Sequence, residues 1–413
     1  MRDFEPVRIG LVGVANFAKS HKASILQMEQ EGYARLVCMC IRDPGKHPGE
    51  VAWCAERGVP VYDSYAGMLD AERGNMELVA LPTAIPDHAY TSVMAMEAGY
   101  DVLVEKAPAG AVQDVDEMIM ASARTARFCE VGFQNQSKNT VRAIKRRVCE
   151  GRLGRIERIA VMAEWVRPDS YYERNGWAGK LMYQGRYCLD GPTNNALAHY
   201  LFNALYWASP KWQHADAPVR VRGEVYHAHP IEGEDTSAIA VETAGGCRIT
   251  YLSTLAGWEA LGPISRIEGT EGTAEWSFSG PATISYADGT KETINASADR
   301  EHYEVFRNTC KYLRGRSDLL NAPIAMTRVH TVAVNGAYES GGPPRTIPAE
   351  HVTREPKDNS IFTGINGIRE VLQRCYDEHK TFSEIGVPWA CETDWVDTTN
   401  YRRFEMDLRR CRT

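Results

Sequence analysis

In the first third of the chain, short apolar runs alternate with longer amphipathic stretches, and nothing else in the sequence limits the fold so strongly. "VRIGLVGV" (7–14), "ARLVCMCI" (34–41), "MELVALPT" (76–83), "DVLVEKA" (101–107) and "RFCEVGFQ" (127–134) read as buried strands. "NFAKSHKASILQMEQEG" (16–32), "EVAWCAERGV" (50–59), "DHAYTSVMAMEAG" (87–99) and "DVDEMIMASARTA" (114–126) carry helical spacing between them, and "PVYDSYAGMLD" (60–70) holds a shorter strand and helix. Strands joined through helices imply right-handed βαβ units and a doubly wound parallel sheet, an α/β fold. Such sheets take ligands outside the carboxyl ends of their strands. Glu105 and Lys106 close one of these apolar runs, so they fall on the ligand edge. Neighbouring strand residues point to opposite faces, which sends Lys106 to the cleft and leaves Glu105 to support the strand end.

The turn after the first strand reads Gly10-Leu-Val-Gly13-Val-Ala15-Asn16-Phe17-Ala18. A dinucleotide fingerprint needs Gly-x-Gly-x-x-Gly/Ala there, for a tight turn and close backbone approach to a pyrophosphate. Gly13, Ala15 and Ala18 fit, with alanine at the middle position, and Asn16 and Phe17 complete the loop. Strand two ends Cys40-Ile41-Arg42-Asp43. Ile41 occupies the usual place of the acid that binds the adenosine ribose. Arg42 suits a 2′-phosphate, which tips the expectation slightly towards NADP(H), while Asp43 keeps NAD(H) open.

The length of 413 residues suits two domains, with a boundary expected between 6–134 and 135–413. A net charge of −7 argues against a phosphate-tracking nucleic-acid binder. No run approaches the ~18 apolar residues of a membrane span, and the opening "MRDFEPVRIG" lacks the apolar core of a signal peptide. The expected location is therefore the cytoplasm. The eleven cysteines form no CxxC pair, and Cys38 and Cys40 sit inside an apolar run, so they read as buried thiols with no metal site implied.

Beyond residue 135 the pattern changes. "PVRVRGEVYHA" (218–228), "TSAIAVETAGGCRITYLST" (236–254), "ISRIEGTEGTAEWSFSG" (264–280) and "ATISYADGTKETI" (282–294) alternate in period two between glycine turns, the pattern of an antiparallel meander in an α+β domain. A helix is expected near 300–316, and the last hundred residues mix helical patches with loops. In "DGPTNNALAHYLFNALYWASP" (190–210), helical spacing sets Leu197, Leu201, Leu205 and Ala208 on an apolar face. Asn195, His199 and Asn203 fall on another face as a polar stripe, with His199 a candidate acid/base. The aromatic and basic segment 165–187 is expected as a loop over the cleft. There Trp177, Lys180, Tyr183 and Arg186 would stack on and bond to a polyol, and Arg167, Lys180 and Arg186 could meet an anionic group.

Taken together, the Gly-rich first turn, "EAGYDVLVEKAP", "GFQNQ", "EGRLGRI" and a histidine on a helix over an antiparallel sheet resemble the Gfo/Idh/MocA family of nicotinamide-dependent sugar oxidoreductases, over roughly residues 6 to 330. The resemblance implies that Lys106 matches the lysine of a Glu-Lys-Pro motif where cofactor and substrate meet. It implies that His88, after Pro82 and Thr83, opens the helix following strand four, and that Gln134 and Asn135 lie near the nicotinamide. His199 corresponds to the catalytic histidine of an Asp-x-x-x-His motif. Two departures stand out: the proline comes one place late, as Glu-Lys-Ala-Pro, and Asn195 replaces the aspartate. Asparagine can orient but cannot take up a proton, so acid/base work concentrates on Lys106 and His199, with Asp190 a spare carboxylate. The implied activity is hydride transfer between a nicotinamide and a hydroxyl-bearing carbon of a sugar, sugar derivative or cyclitol. The alternatives are a redox-neutral glycosidase using bound NAD and a non-catalytic dinucleotide sensor. The family also implies a homodimer or homotetramer, formed through an uncovered face of the second sheet.

Overall fold

A computed structural model describes residues 5–297 and 301–406. In chain order the first elements are β1 (Val7–Val12), α1 (Phe17–Gln30), β2 (Ala34–Cys40), α2 (Pro48–Glu56), β3 (Val61–Tyr62), α3 (Tyr65–Ala71), β4 (Leu78–Leu81), α4 (Ile85–Glu97), β5 (Asp101–Glu105), α5 (Val112–Thr125) and β6 (Cys129–Gly132). Their six strands form one sheet in the order β3-β2-β1-β4-β5-β6, and every pair is parallel. This is the doubly wound sheet expected from the alternation. All five residues of β5 are buried, as suits a strand covered on both faces.

The second stretch continues with α6 (Asn139–Cys149), β7 (Ile156–Val166), β8 (Met182–Tyr183), β9 (Arg186–Tyr187), α7 (Ala198–Ala208), β10 (Pro218–His227), β11 (Thr236–Thr243), β12 (Arg248–Thr254), β13 (Ala256–Gly269), β14 (Gly272–Ser277), β15 (Ala282–Tyr286) and β16 (Lys291–Ile294). It closes with α8 (Glu301–Leu313), α9 (Ile324–Gly341), β17 (Arg345–Thr346), β18 (Val352–Lys357), β19 (Ser360–Ile365), α10 (Ile368–Glu378) and β20 (Val396–Asp397).

The chain divides into two compact units, but one cut near residue 134 does not separate them. The first unit also takes 114–137 and 301–327, and the second takes 110–113 as well as the rest. Helix α8 returns because it is amphipathic. Its Tyr303, Phe306 and Cys310 enter the same core as Ile9, Leu11 and Ile25. Residues 321–323 close the sheet edge at β6: Val131 donates to Ala322 O at 2.9 Å, and Glu130 bridges Pro323. Covering an edge strand in this way blocks its unpaired backbone groups from other chains.

The second unit holds a long sheet ordered β16-β15-β14-β13-β7-β12-β11-β10-β17, with β20 also on β10. It is mixed rather than a plain meander, because β7 inserts parallel to β12 and antiparallel to β13. Helix α7 lies on one face, where the Tyr251 hydroxyl donates to Leu197 O at 3.3 Å. Its C-terminus is closed by Lys145 of α6, whose Nζ donates to the carbonyls of Tyr206, Ser209 and His214 at 2.5, 2.7 and 2.9 Å. Burial pushes that ammonium down to about 7.

The opposite face was expected to be open, and it is not. Ala160 and Met162 of β7, Ala238 of β11, Leu252 of β12 and Tyr226 of β10 join a core with Ile365, Ile368, Leu372, Phe382 and Trp389. The chain's own β18–β19 hairpin, α10 and following turn thus cover the sheet. Ion pairs fasten the rim, Arg369 to Glu164 at 2.8 Å and Arg222 to Glu384 at 2.5 Å. The sheet strands alternate, so half their side chains needed cover. The last hundred residues supply it over β7 and β10–β12. Among the described residues no helix is long and apolar enough to cross a membrane.

Candidate active site residues in the two units

The first unit presents its candidates along the carboxyl ends of its strands. Gly13 has φ +93°, a value that favours glycine, and its N–H donates to Cys40 O at 2.9 Å. Helix α1 follows with no side-chain cap and no acid in its first turn. The Ala18 and Lys19 N–H groups bond back to Ala15 O and Asn16 O at 3.0 and 3.1 Å, and the positive end of the helix dipole faces the turn. Ala15, Asn16 and Phe17 are exposed around this opening, and Ala18 is buried beneath it. At the end of β2, Ile41 is buried while Arg42 is exposed.

Lys106 follows directly on β5 and is buried, with its Nζ 5.8 Å from the centre of the Phe17 ring. The Lys106–Ala107 peptide is cis. The Glu105 carboxylate turns to His21 of α1, 2.9 Å away and also buried, and its other oxygen accepts from the Lys106 backbone N–H at 3.2 Å. Burial alone would raise the Glu105 pKa. The hydrogen bond and charge of His21, with His302 and Lys106 nearby, overcome it and hold the carboxyl at about 2. His302 of α8 stands against the Phe17 ring with centroids 5.8 Å apart, and its Nε2 meets Gln134 Nε2 at 3.4 Å. His21 and His302 were not singled out in the sequence. His21 looks like one more polar residue of an amphipathic helix, and His302 is distant in the chain.

His88 is buried, its Nδ1 2.8 Å from Ala107 O and its Nε2 3.0 Å from Thr83 O. Burial lowers its pKa, and the two carbonyls only partly oppose that. Its ring therefore clamps the Pro82–Thr83 turn to the segment after Lys106. Gln134 and Asn135 are buried in the turn after β6, and Gln134 Oε1 and both amide atoms of Asn135 have no hydrogen-bond partner among the described residues. Orphaned amides there are donors and acceptors suited to a carboxamide ligand. With the α1 terminus, which has no side-chain cap, they fit a nicotinamide dinucleotide.

The second unit builds its candidates on the turn before α7. Residues Pro192–Ala196 form one π-helical turn, so Asn195 precedes α7 rather than riding on it. The expected polar stripe is not a separate face. Every residue of α7 is buried, Asn203 at 0% exposure and His199 at 8%. The helix lies between the sheet and α6 and has no solvent side.

Asp190 is no spare carboxylate. It is buried, with Oδ2 accepting from Arg174 Nη2 at 2.9 Å and Gly179 N at 2.7 Å, and Oδ1 accepting from Asn195 Nδ2 at 2.6 Å. It therefore orients Asn195 and anchors the loop that carries Trp177 and Lys180. Glu234 holds the next turn, accepting from Thr193 N at 3.0 Å and from the Thr193 hydroxyl. Burial pushes its carboxyl up to about 7, with the Thr193 bonds opposing. A side chain at Gly191 would meet Glu234 Cγ at 2.3 Å, so only glycine fits there. Arg174 lies over the Tyr171 ring at 4.0 Å. Tyr183 and Arg186 sit in the β8–β9 hairpin, with Tyr183 half-buried and Arg186 exposed. Among the described residues no cluster of His, Cys, Asp and Glu could hold a metal ion.

Residues 7–133 match the model of the oxidoreductase family with an NAD-binding Rossmann fold, GFO_IDH_MocA. No curated protein matches the chain. Among solved structures, the WlbA dehydrogenase from Bordetella pertussis, in complex with NADH and UDP-GlcNAcA, is similar at 24% identity and TM-score 0.66, over 81% of this chain and 96% of that one. Levoglucosan dehydrogenase, in complex with NADH and levoglucosan, gives 15% identity and TM-score 0.68 over 81% and 97%. The aldose–aldose oxidoreductase from Caulobacter crescentus, complexed with glycerol, gives 15% and 0.66 over 81% and 97%. At these identities the likeness establishes the fold. The match to that family is therefore one of residues 7–133, and the likeness to the solved structures is one of fold.

Proposed function

We propose that the protein is an NAD(P)-dependent oxidoreductase that moves hydride between a nicotinamide and a hydroxyl-bearing carbon of a sugar, sugar derivative or cyclitol. The observation that carries this reading is the buried Lys106, standing at the carboxyl end of β5 in the family-matched Rossmann unit. The Gly13–Ala18 turn would hold the pyrophosphate, and Gln134 and Asn135 the nicotinamide amide. When bound, the nicotinamide supplies the hydride acceptor. Lys106 in the first unit and His199 in the second are the candidate acceptors of the substrate's hydroxyl proton, which must leave as hydride leaves. Asn195, oriented by Asp190, positions the substrate through its carbonyl, because its amide nitrogen is engaged. Trp177, Lys180, Tyr183 and Arg186 border the substrate.

Arg42, exposed where the ribose acid would stand, inclines the adenosine site towards a 2′-phosphate, although the WlbA and levoglucosan relatives are complexes with NADH. The ten cysteines of the described residues are free thiols, which suits the reducing cytoplasm. The relatives are dehydrogenases and an aldose oxidoreductase, and a redox-neutral glycosidase has only Asn195 in its favour.

The test is a product assay with NAD and separately NADP on free sugars and aryl glycosides. Cofactor reduced in step with a keto product supports the reading. Aglycone released without net reduction replaces it with the glycosidase. In the same assay Lys106→Ala is expected to lose at least ~100-fold in kcat while dinucleotide still binds.

A further inference from the structure

The segment between β7 and α7 holds three arginines, Arg167, Arg174 and Arg186, and the structure treats the first two differently. Arg174 is neutralised by the buried Asp190 at 2.9 Å. Arg167, among the described residues, has no carboxylate partner. Its Nη1 donates to the carbonyl of Val166 at 3.1 Å, the Tyr171 hydroxyl stands within side-chain hydrogen-bond reach of the guanidinium, and among the described residues the buried Nε has no acceptor. The guanidinium lies near two rings, 4.8 Å from the centre of Trp165 and 5.0 Å from that of Tyr171. Aromatic neighbours restrict the orientations of the cation, and its N–H edge is where an anion would bond.

Its position ties it to the candidate site of the same unit. Along β7, Ala160 and Met162 enter the covered face, so Val161, Ala163 and Trp165 alternate to the α7 face, and Arg167 follows in the same parity. From Arg167 the contacts run through Tyr171 to Arg174, then Asp190, then Asn195. The Arg167 carbonyl is fixed as well, 2.9 Å from Nε2 of the buried His229, whose Nδ1 pairs with Asp235 at 2.7 Å. A fixed backbone, aromatic neighbours and a guanidinium with no carboxylate partner among the described residues make a prepared oxyanion receptor.

We propose that Arg167 is a specificity residue and that the substrate carries an oxyanion, a carboxylate or a phosphate, which docks on its guanidinium edge. This deepens the oxidoreductase reading, on which only the sugar part of the ligand rests. The Asp190–Arg174 pair serves as the internal contrast, since a second unneutralised arginine would have attracted anions without selectivity.

The experiment uses the full-length protein and matched triples: glucose, glucuronate and glucose 6-phosphate, with the galactose counterparts. Binding is followed by calorimetry with saturating NAD or NADP, and turnover by cofactor reduction. The acidic members are expected to bind at least about tenfold tighter than the neutral sugar, and Arg167→Gln to weaken them roughly 10- to 100-fold, while neutral-sugar binding stays unchanged. Arg167→Lys, which keeps the charge but not the fork, should restore part of the loss, and an unchanged melting temperature shows that both variants fold. Equal affinity for neutral and acidic members, unaffected by Arg167→Gln, overturns the proposal and leaves the oxidoreductase intact. Arg167-dependent binding of the acids with no cofactor reduction in any triple upholds the receptor and removes the redox reading instead.

Discussion

Replacing Glu130 by glutamine should make the Rossmann unit relatively more stable as pH rises. Glu130 lies on β6, fully buried, and accepts from Ala322 N at 2.8 Å, while its Oε2 has no partner. Burial raises its pKa to about 8 from the ordinary 4.5, against the lowering effect of the backbone bonds from Ala322 and Asn321. Between those two values the folded protein holds a proton that the unfolded chain has released. Stability therefore falls as pH rises through this window, and the loss is complete once pH passes the folded value. At about 1.4 kcal/mol per pH unit, wild type loses roughly 2.5–3 kcal/mol from this group between pH ~6 and pH ~9. Glutamine keeps the accepting oxygen for Ala322 and never ionises. Its amide also lacks an acceptor, but that penalty does not vary with pH. Urea unfolding of wild type and Glu130→Gln at the two pH values reads the difference directly. A stability difference that stays flat with pH would refute the argument, since no other group changes between the two proteins.

The buried Glu105–His21 pair has the opposite sign: with the carboxyl held at about 2, its contribution is present above the ordinary 4.5 and disappears as pH falls towards 2. His21→Leu leaves mainly burial acting on Glu105, so acid unfolding should begin at a higher pH, as circular dichroism during an acid titration would record. Asp190→Asn removes the charge holding Arg174 and sets an amide against the Asn195 amide. A fall in kcat/KM of about 10- to 100-fold with unchanged dinucleotide affinity is expected, because displaced positioning groups reduce rate without touching the cofactor unit; loss of dinucleotide binding would contradict it. Arg369→Ala leaves the Glu164 carboxylate buried under α10 with only the backbone N–H groups of Trp258 and Glu259. Because Arg369 is itself about one-third exposed, a loss of about 1–2 kcal/mol in chemical unfolding is expected, less than for a fully buried pair. Arg42→Gln should raise KM for NADP more than for NAD, by about tenfold, and equal effects on both would remove Arg42 from the 2′-phosphate site.

The sequence alone determined the Rossmann sheet. Alternation of buried runs with amphipathic helices allows few other arrangements, and handedness and ligand edge follow from chain chirality. The Gly13 turn and Lys106 at a strand end were legible because each is bound to local strand or turn geometry, whereas Gln134 and Asn135 were named only through the family resemblance. The fate of side chains whose partners lie far along the chain was not legible. His21 meets Glu105 from eighty-four residues away, and α8 joins the first core after the whole second sheet has been built. Asp190 looked free until Arg174, Gly179 and Asn195 were seen to use both its oxygens. The second sheet looked open because its strands show period two, and a periodicity states that a face is apolar without saying what covers it. Only the tertiary structure placed β18, β19 and α10 there, since burial of those apolar faces depends on contacts between segments more than a hundred residues apart.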